Sequence, residues 1–392
     1  MILLQINVVS NLLSTGKIAE DISNKAIEYG WEVYTIYGRW SKPGVTHEIR
    51  VAPMINTYLH YLENRLFDNE GLSSRLVTKR LTKKIDEINP DIIHLHNIHD
   101  HYLNYPILFE YLSTISIPIV WTQHDCWSFT GGCGYFDLLH CDGWKSGCLS
   151  CPENRAIFCN KGAKQYVLKQ KYFNMPRNLV YVSVSDWLGN LLKQSHQGHR
   201  PIITIHNGVD ITRFRPTRKI RSDNRFCIIG VAAPWSIRKG LEDFVKLRSL
   251  LSEEYEITLV GLSESQIKTL PLGIRGIQRT SNINELVDLY SESDVFVNPT
   301  YEDNFPTVNI EALACGTPVI TYNTGGSPEA IDSKTGIVIE QGNLIALANA
   351  IMYMKDNPLS SDDCRKRAEM YFDKDKCFEK YIELYENLIE GK

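Results

Sequence analysis

No stretch of the 392-residue chain approaches the roughly 18 consecutive apolar residues that a membrane-spanning helix needs. The amino terminus, Met1-Ile2-Leu3-Leu4-Gln5-Ile6-Asn7-Val8-Val9, has neither a basic leader region nor a small-residue cleavage site. It reads as a first strand, not a signal peptide, so the chain is expected to be cytoplasmic. Neither a repeat of solenoid period nor a low-complexity segment occurs. No excess of one charge is present either. The formal net charge of −4 argues against a nucleic-acid partner. In a reducing compartment the ten cysteines are expected to be thiols or metal ligands rather than disulfides.

What is there is a chain long enough for two or three domains. Ile2–Val9 reads as a strand, residues 10–17 as a loop leading into a helix, and Trp31–Tyr37 as a second strand. A β-α-β opening implies a parallel, doubly wound α/β sheet. Ser14-Thr15-Gly16-Lys17 looks like the end of a phosphate loop, but the upstream glycine of that motif is missing, which excludes an ATPase of that kind. Residues 54–88 read as helical, with a basic stripe of Arg75, Lys79, Arg80, Lys83 and Lys84 beside an apolar one. An anionic membrane would suit that stripe, and so would plain solvent. His94, His96, His99 and His101 cluster at the end of the strand Pro90–Asn97, where they are expected to be wall residues of a cleft. His124-Asp125 ends the strand Ile117–Gln123, at the strand end where α/β sheets place reactive groups.

Cysteines follow at 126, 133, 141, 148, 151 and 159. Cys148-Leu149-Ser150-Cys151 has zinc-site spacing, and Cys133 and Cys141 would complete a tetrahedral set. Structural zinc, buried thiols and a single disulfide all remain open from the spacing. A second β-α-β series starts at Phe226. There Arg238 and Lys239, before Gly240, would form a phosphate clamp at the start of a helix.

The most informative stretch is 300–330. Asp294–Pro299 reads as a buried strand ended by Asn-Pro, then comes a loop with Glu302 and Asp303, a helix from about Thr307 to Cys315 closed by Gly316, and a strand from Val319. A helix amino terminus beyond a parallel strand favours phosphate. The carboxylates of Asp303 and Glu311 would repel phosphate and suit hydroxyls. Phosphate plus polyol describes a nucleotide sugar.

This stretch resembles the donor-binding signature of retaining glycosyltransferases of family 4. Asp303 stands where the family usually has Glu, and Glu311, Ala312, Ala314, Gly316, Pro318, Val319, Gly325, Gly326 and Glu329 match. His206-Asn207-Gly208-Val209-Asp210 resembles the turn that ends the family's first domain. The resemblance implies the GT-B fold, an α/β architecture of two doubly wound Rossmann-like domains facing across a cleft. Residues 1–212 would form the acceptor-side domain with a cysteine-containing insertion at 126–160, 213–219 a linker, and 220–371 the nucleotide-sugar-binding domain. A last helix, 372–392, would return to the first domain.

The resemblance also implies roles. Gly16, Arg238, Lys239, Asp303, Phe305, Thr307, Val308 and Glu311 would bind the donor, and His124 and Asp303 would act at the sugar. In the family the Arg follows the first glycine of the strand directly, whereas here that region reads Val231-Ala232-Ala233-Pro234-Trp235. The implied reaction is retaining, hexosyl-type transfer to an acceptor hydroxyl by front-face attack. Its setting would be surface-polysaccharide assembly on a lipid-linked saccharide, with peripheral membrane contact. No cofactor beyond the nucleotide sugar is expected, and no obvious Asp-x-Asp metal motif is seen. A nucleotide-sugar epimerase of the same fold and a non-catalytic sugar-nucleotide binding subunit are the rival readings.

Overall fold

A computed structural model describes residues 1–153, 156–217 and 224–391. The chain divides into two compact units, Met1–Ile205 with Phe378–Lys392, and His206–Cys377. Each is a parallel sheet with helical crossovers, the arrangement a β-α-β opening dictates.

In the first unit the strands are β1 (Ile2–Asn7), β2 (Glu32–Tyr37), β3 (His47–Arg50), β4 (Ile92–Leu95), β5 (Ile119–Gln123), β6 (Leu179–Ser183) and β7 (Ile202–Thr204). They lie in the order β3-β2-β1-β4-β5-β6-β7. The helices are α1 (Leu13–Glu28), α2 (Met54–Phe67), α3 (Arg75–Ile88), α4 (Tyr105–Leu112), α5 (Gly162–Phe173) and α6 (Asp186–Gln194). β5 and β6 are buried at every residue, because crossover helices cover both faces of a parallel sheet. Ser185 caps α6, accepting from the Leu188 N–H at 3.1 Å.

The second unit carries β8 (Phe226–Val231), β9 (Tyr255–Val260), β10 (Ile274–Ile277), β11 (Val295–Asn298), β12 (Val319–Tyr322) and β13 (Gly336–Ile339), in the order β10-β9-β8-β11-β12-β13. Its helices are α7 (Leu241–Arg248), α8 (Glu264–Lys268), α9 (Ile283–Glu292), α10 (Thr307–Ala314), α11 (Leu344–Asp356) and α12 (Ser361–Tyr371). In each sheet the strand order reverses beside its first strand, between β1 and β4 and between β8 and β11. Parallel sheets bind ligands beyond the carboxyl ends of strands at such points.

The last helix, α13 (Lys374–Ile389), buries Phe378, Tyr381, Ile382 and Tyr385 at helical spacing. From Phe378 onward it belongs to the first unit. The Tyr385 hydroxyl lies 2.6 Å from His94 Nδ1, and the Tyr381 hydroxyl 3.1 Å from Thr122 Oγ1.

Several expectations need adjusting. The division falls after Ile205 rather than at 212. The reason is local: Val209 bonds to Phe372 and Lys374, tying the Asn-Gly-Val-Asp turn to the second unit. Residues 218 and 219 of the expected linker lie outside the described residues. Gly16 sits inside the first turn of α1, not in a loop before it. One Asp-x-Asp does occur, Asp373-Lys374-Asp375. It serves the start of α13, where Asp373 Oδ1 accepts from the Asp375 N–H at 3.1 Å and Lys374 pairs with Asp210 at 3.0 Å. Among the described residues no helix is long and apolar enough to cross a membrane.

Candidate functional site

In the second unit three loops meet beyond the carboxyl ends of β8, β11 and β12. After β8 the chain makes one tight turn, Ile237–Lys239, and then Gly240, at φ 74°. A Cβ on Gly240 would stand 2.1 Å from the Pro299 carbonyl oxygen, so only glycine lets this turn press against the end of β11. The contact is secured by the Arg238 carbonyl, which accepts from the Tyr301 N–H at 2.8 Å and the Thr300 hydroxyl at 3.2 Å. Gly325, after β12, is built the same way: its φ is 55° and a Cβ would meet the Asp303 carbonyl oxygen at 1.8 Å.

The outcome is an ion pair. Lys239 Nζ lies 2.5 Å from Asp303 Oδ2, with the side chains 23% and 16% exposed. An acid and a base from two different loops are thus held together, largely out of water. Arg238 is half-buried beside Lys239 on the same turn.

Helix α10 begins next to Asp303, and its N-cap, Pro306, supplies no side-chain cap. Thr307 and Val308 form that turn and are half-buried. The helix is held against the sheet by Asn309, which accepts from Asn298 at 2.8 Å and donates to the Ser327 carbonyl at 3.2 Å. Glu311 is half-buried and accepts from the Tyr290 hydroxyl at 3.3 Å. Burial, reinforced by the Glu311 charge, holds the Tyr290 phenol well above its ordinary range, so it remains a donor. Phe305 packs its ring inward, 4.8 Å from His206 and 5.7 Å from Phe372. Whatever it offers a ligand comes from its main chain. Asn309 and Tyr290 were not singled out from the sequence, because a buried Asn and a buried Tyr carry no local spacing signal.

In the first unit His124 follows β5 and is half-buried. Its state is fixed from inside the sheet. Ser23 Oγ donates to the Ala19 carbonyl at 2.8 Å, so it accepts from Gln5 Nε2. Gln5 Oε1 therefore accepts from His96 Nε2 at 2.7 Å. His96 Nδ1 is then an acceptor, and His124 Nε2 donates to it at 3.1 Å. Burial holds His94 and His96 well below the ordinary imidazole range and pushes His124 down to about 4. All three are neutral near pH 7. His94 and His96 are fully buried, so they are not wall residues as expected. They are the internal support of His124. The strand gave their common face correctly, but not that the face is covered.

His99 behaves oppositely. Burial works against its charge, yet the Asp125 and Asp100 carboxylates raise it well above the ordinary range. Its Nε2 lies 2.8 Å from Asp125 Oδ2. Glu70, His99 and Asp100 have ligand atoms within 4.8 Å of one another. His99 pairs with Asp125 and lies 3.7 Å from Asp100 Oδ1, so the group stands as an ion-pair cluster. Gly16 lies close to the β1–α1 loop, where a Cβ would stand 3.0 Å from a Val9 methyl and 3.3 Å from the Asn11 nitrogen.

The histidine array sets a pH dependence. His94, His96 and His124 bind protons more weakly folded than unfolded, so stability falls as pH drops below about 6.5. Unfolding free energy measured from pH 6.5 to 4.5 should decline, and His96→Gln should reduce the slope by about 1.4 kcal/mol per pH unit at most, the value of one proton.

Comparisons with known proteins agree with this geometry. The family model described as Glycosyltransferase Family 4 matches residues 16–213, and that described as Glycosyl transferases group 1 matches residues 212–370. WcaC of Escherichia coli (strain K12), which bears the name of a colanic acid biosynthesis glycosyl transferase, is 24% identical over 99% of this chain and 100% of its own. An N,N'-diacetylbacillosaminyl-diphospho-undecaprenol alpha-1,3-N-acetylgalactosaminyltransferase of Campylobacter jejuni is 23% identical over 44% of this chain and 48% of its own. Among solved structures, Anabaena HepE in complex with UDP superposes with a TM-score of 0.69 at 14% identity, over 99% of this chain and 100% of that one. Together with two parallel-sheet Rossmann-like domains, these matches establish that the chain belongs to glycosyltransferase family 4 and is a glycosyltransferase of the GT-B fold.

Proposed function

We propose that the protein transfers a sugar, with retention, from a nucleoside diphosphate sugar to a hydroxyl of a lipid-linked saccharide during surface-polysaccharide assembly. The observation that carries the reading is the Lys239–Asp303 pair beside the start of α10, whose N-cap Pro306 supplies no side-chain cap. A diphosphate arriving there would take Lys239 from Asp303. The pair would exchange one anion for another, and Asp303 would be released to accept sugar hydroxyls.

In this scheme Lys239, Arg238 and the first-turn N–H groups of Thr307 and Val308 stabilise the leaving diphosphate as charge develops on it. Glu311, steadied by Tyr290, holds ribose hydroxyls. The main chain at Phe305 and the close-packed turn at Gly16 contribute donor contacts. His124 orients the sugar as a neutral imidazole, a role consistent with its depressed proton affinity. The acceptor hydroxyl attacks the front face of the anomeric carbon, the anomeric bond to phosphate breaks, and the leaving phosphate takes the acceptor proton. No cofactor beyond the nucleotide sugar enters this scheme.

The lipid-linked acceptor draws support from the names of relatives, one of which acts on a diphospho-undecaprenol, and from a surface on the first unit. Helix α2 is inverted: it buries the polar residues Thr57 and His60 and exposes Ile55, Tyr58, Leu59 and Leu62, the first two by 60% and 62%. Exposing a contiguous apolar face to water is costly unless something covers it. The basic residues Arg75, Lys79, Arg80 and Lys83 of α3 are exposed as well. Apolar side chains with cations close by in sequence suit an anionic lipid surface.

Two outcomes follow. Lys239→Ala should weaken nucleoside diphosphate binding by about 10- to 100-fold, the loss of a charge-assisted contact, with the protein still folded. Unchanged binding by calorimetry would remove the clamp assignment, and conversion of the donor without any acceptor would favour an epimerase. Vesicles containing phosphatidylglycerol should sediment with the wild-type chain. Ile55→Ser with Leu59→Ser, or Lys79→Glu with Lys83→Glu, should each lower that partition by about tenfold or more. Equal partition into zwitterionic vesicles would contradict the charge argument.

A further inference from the structure

The connection from β5 to α5 carries six cysteines and, among its described residues, only two single helical turns, Trp127–Phe129 and Gly143–Lys145. Connections of this length with so little structure of their own are uncommon in compact domains. Trp127 packs in the core of the first unit; beyond it the connection's apolar content is a small aromatic cluster, with Trp144 lying 5.4 Å from Phe129 and 5.7 Å from Phe136. Something else has to fix its path.

Cys133, Cys141, Cys148 and Cys151 line one pocket, together with Phe136 and Trp144. The chain turns sharply at the closest pair: Gly147 has φ 93° and Cys148 φ 53°. The Gly131 N–H donates to Cys148 Sγ at 3.1 Å. Main-chain donors of this kind orient metal-bound cysteines. Gly143 leaves room for Cys141, whose Sγ would be 3.3 Å from a Cβ there.

A buried cation stands nearby. The Lys169 ammonium is fully buried, 2.6 Å from the Trp127 carbonyl, 3.2 Å from the Thr130 carbonyl and 3.7 Å from the Trp127 ring centroid. Among the described residues no carboxylate pairs with it within 4.0 Å. Thr130 and Gly131 connect this cation to the Cys148 sulfur. A buried charge of this kind calls for an anionic partner.

We propose that Cys133, Cys141, Cys148 and Cys151 bind one zinc ion as a structural tetrathiolate site, with Lys169 offsetting part of its negative charge. Four soft sulfur donors in a C-x2-C-containing set suit tetrahedral zinc, and the thiols give up their protons as they bind. The four sulfurs are not among the groups whose ligand atoms already lie within 4.8 Å of one another. Binding therefore turns these side chains inward. The ion would fix the loop that starts at Asp125, whose carboxylate receives the Trp127 N–H at 2.9 Å and pairs with His99.

The test is metal analysis of the full-length chain purified under reducing conditions without chelators. About one zinc per chain is expected. Titration with a mercurial should release it as four thiols react, and cobalt exchanged into the site should show intense thiolate-to-metal charge-transfer absorption. Cys141→Ser and Cys148→Ser should lose the metal, whereas Cys227→Ser in the second unit should keep it. If the serine variants fail to fold, the wild-type stoichiometry and cobalt spectrum still decide. Metal far below one per chain, both as purified and after zinc is added to the reduced protein, would overturn the proposal. So would a thiol count showing these four paired as disulfides.

Discussion

Close main-chain approach at two glycines is the constraint on which the second unit's site depends. Gly240 lies against the Pro299 carbonyl and Gly325 against the Asp303 carbonyl, each with no room for a methyl group. These contacts bring the loops after β8, β11 and β12 together, and only then does Lys239 reach Asp303. Desolvating an acid and a base is unfavourable by itself. A pair of this kind offers little net stability but leaves two charges poised, ready to change partners when a stronger anion arrives. The same loops set the start of α10, so one packing arrangement delivers a cation, a carboxylate and a helix amino terminus to one place.

The first unit uses buried polarity differently. Gln5, His96 and His124 form a chain in which each donor has one acceptor, and this fixes the tautomer of the half-buried member. The neighbouring His99 is charged, because two carboxylates outweigh its burial. Neutral and charged imidazoles stand a few residues apart in sequence. Their difference comes from which side chains face them, not from the histidines themselves. The tyrosines of α13 extend the array through His94 and Thr122, so the last helix both covers the sheet and orders its polar interior.

Much of this was legible in the sequence. The strand-loop-helix-strand order from Val295 to Tyr322 follows from apolar runs, Asn-Pro and Gly316, and the structure reproduces it within a residue or two. Phe378, Tyr381, Ile382, Tyr385, Leu388 and Ile389 recur at helical spacing, and the first four are the buried face of α13. Other features were hidden because they are tertiary. Nothing local distinguishes a histidine that lines a surface from one sealed under a helix, and for that reason the strand pattern does not reveal that His94 and His96 are covered. The inversion of α2 was equally unreadable: periodicity reports which residues share a face, and only packing says which face is covered. Phe305 lies within the family motif, yet its ring serves the core.

The central claim is that Asp303 restrains Lys239 until the donor diphosphate displaces it. Calorimetry with Asp303→Asn, using a nucleoside diphosphate and its sugar conjugate side by side, tests this most directly. The account predicts that the variant binds the bare diphosphate as tightly as wild type or more so, since a competing carboxylate is gone, while the advantage conferred by the sugar shrinks. Weaker binding of the bare diphosphate in a folded variant would contradict it. Asp303 would then support the phosphate site instead of guarding it.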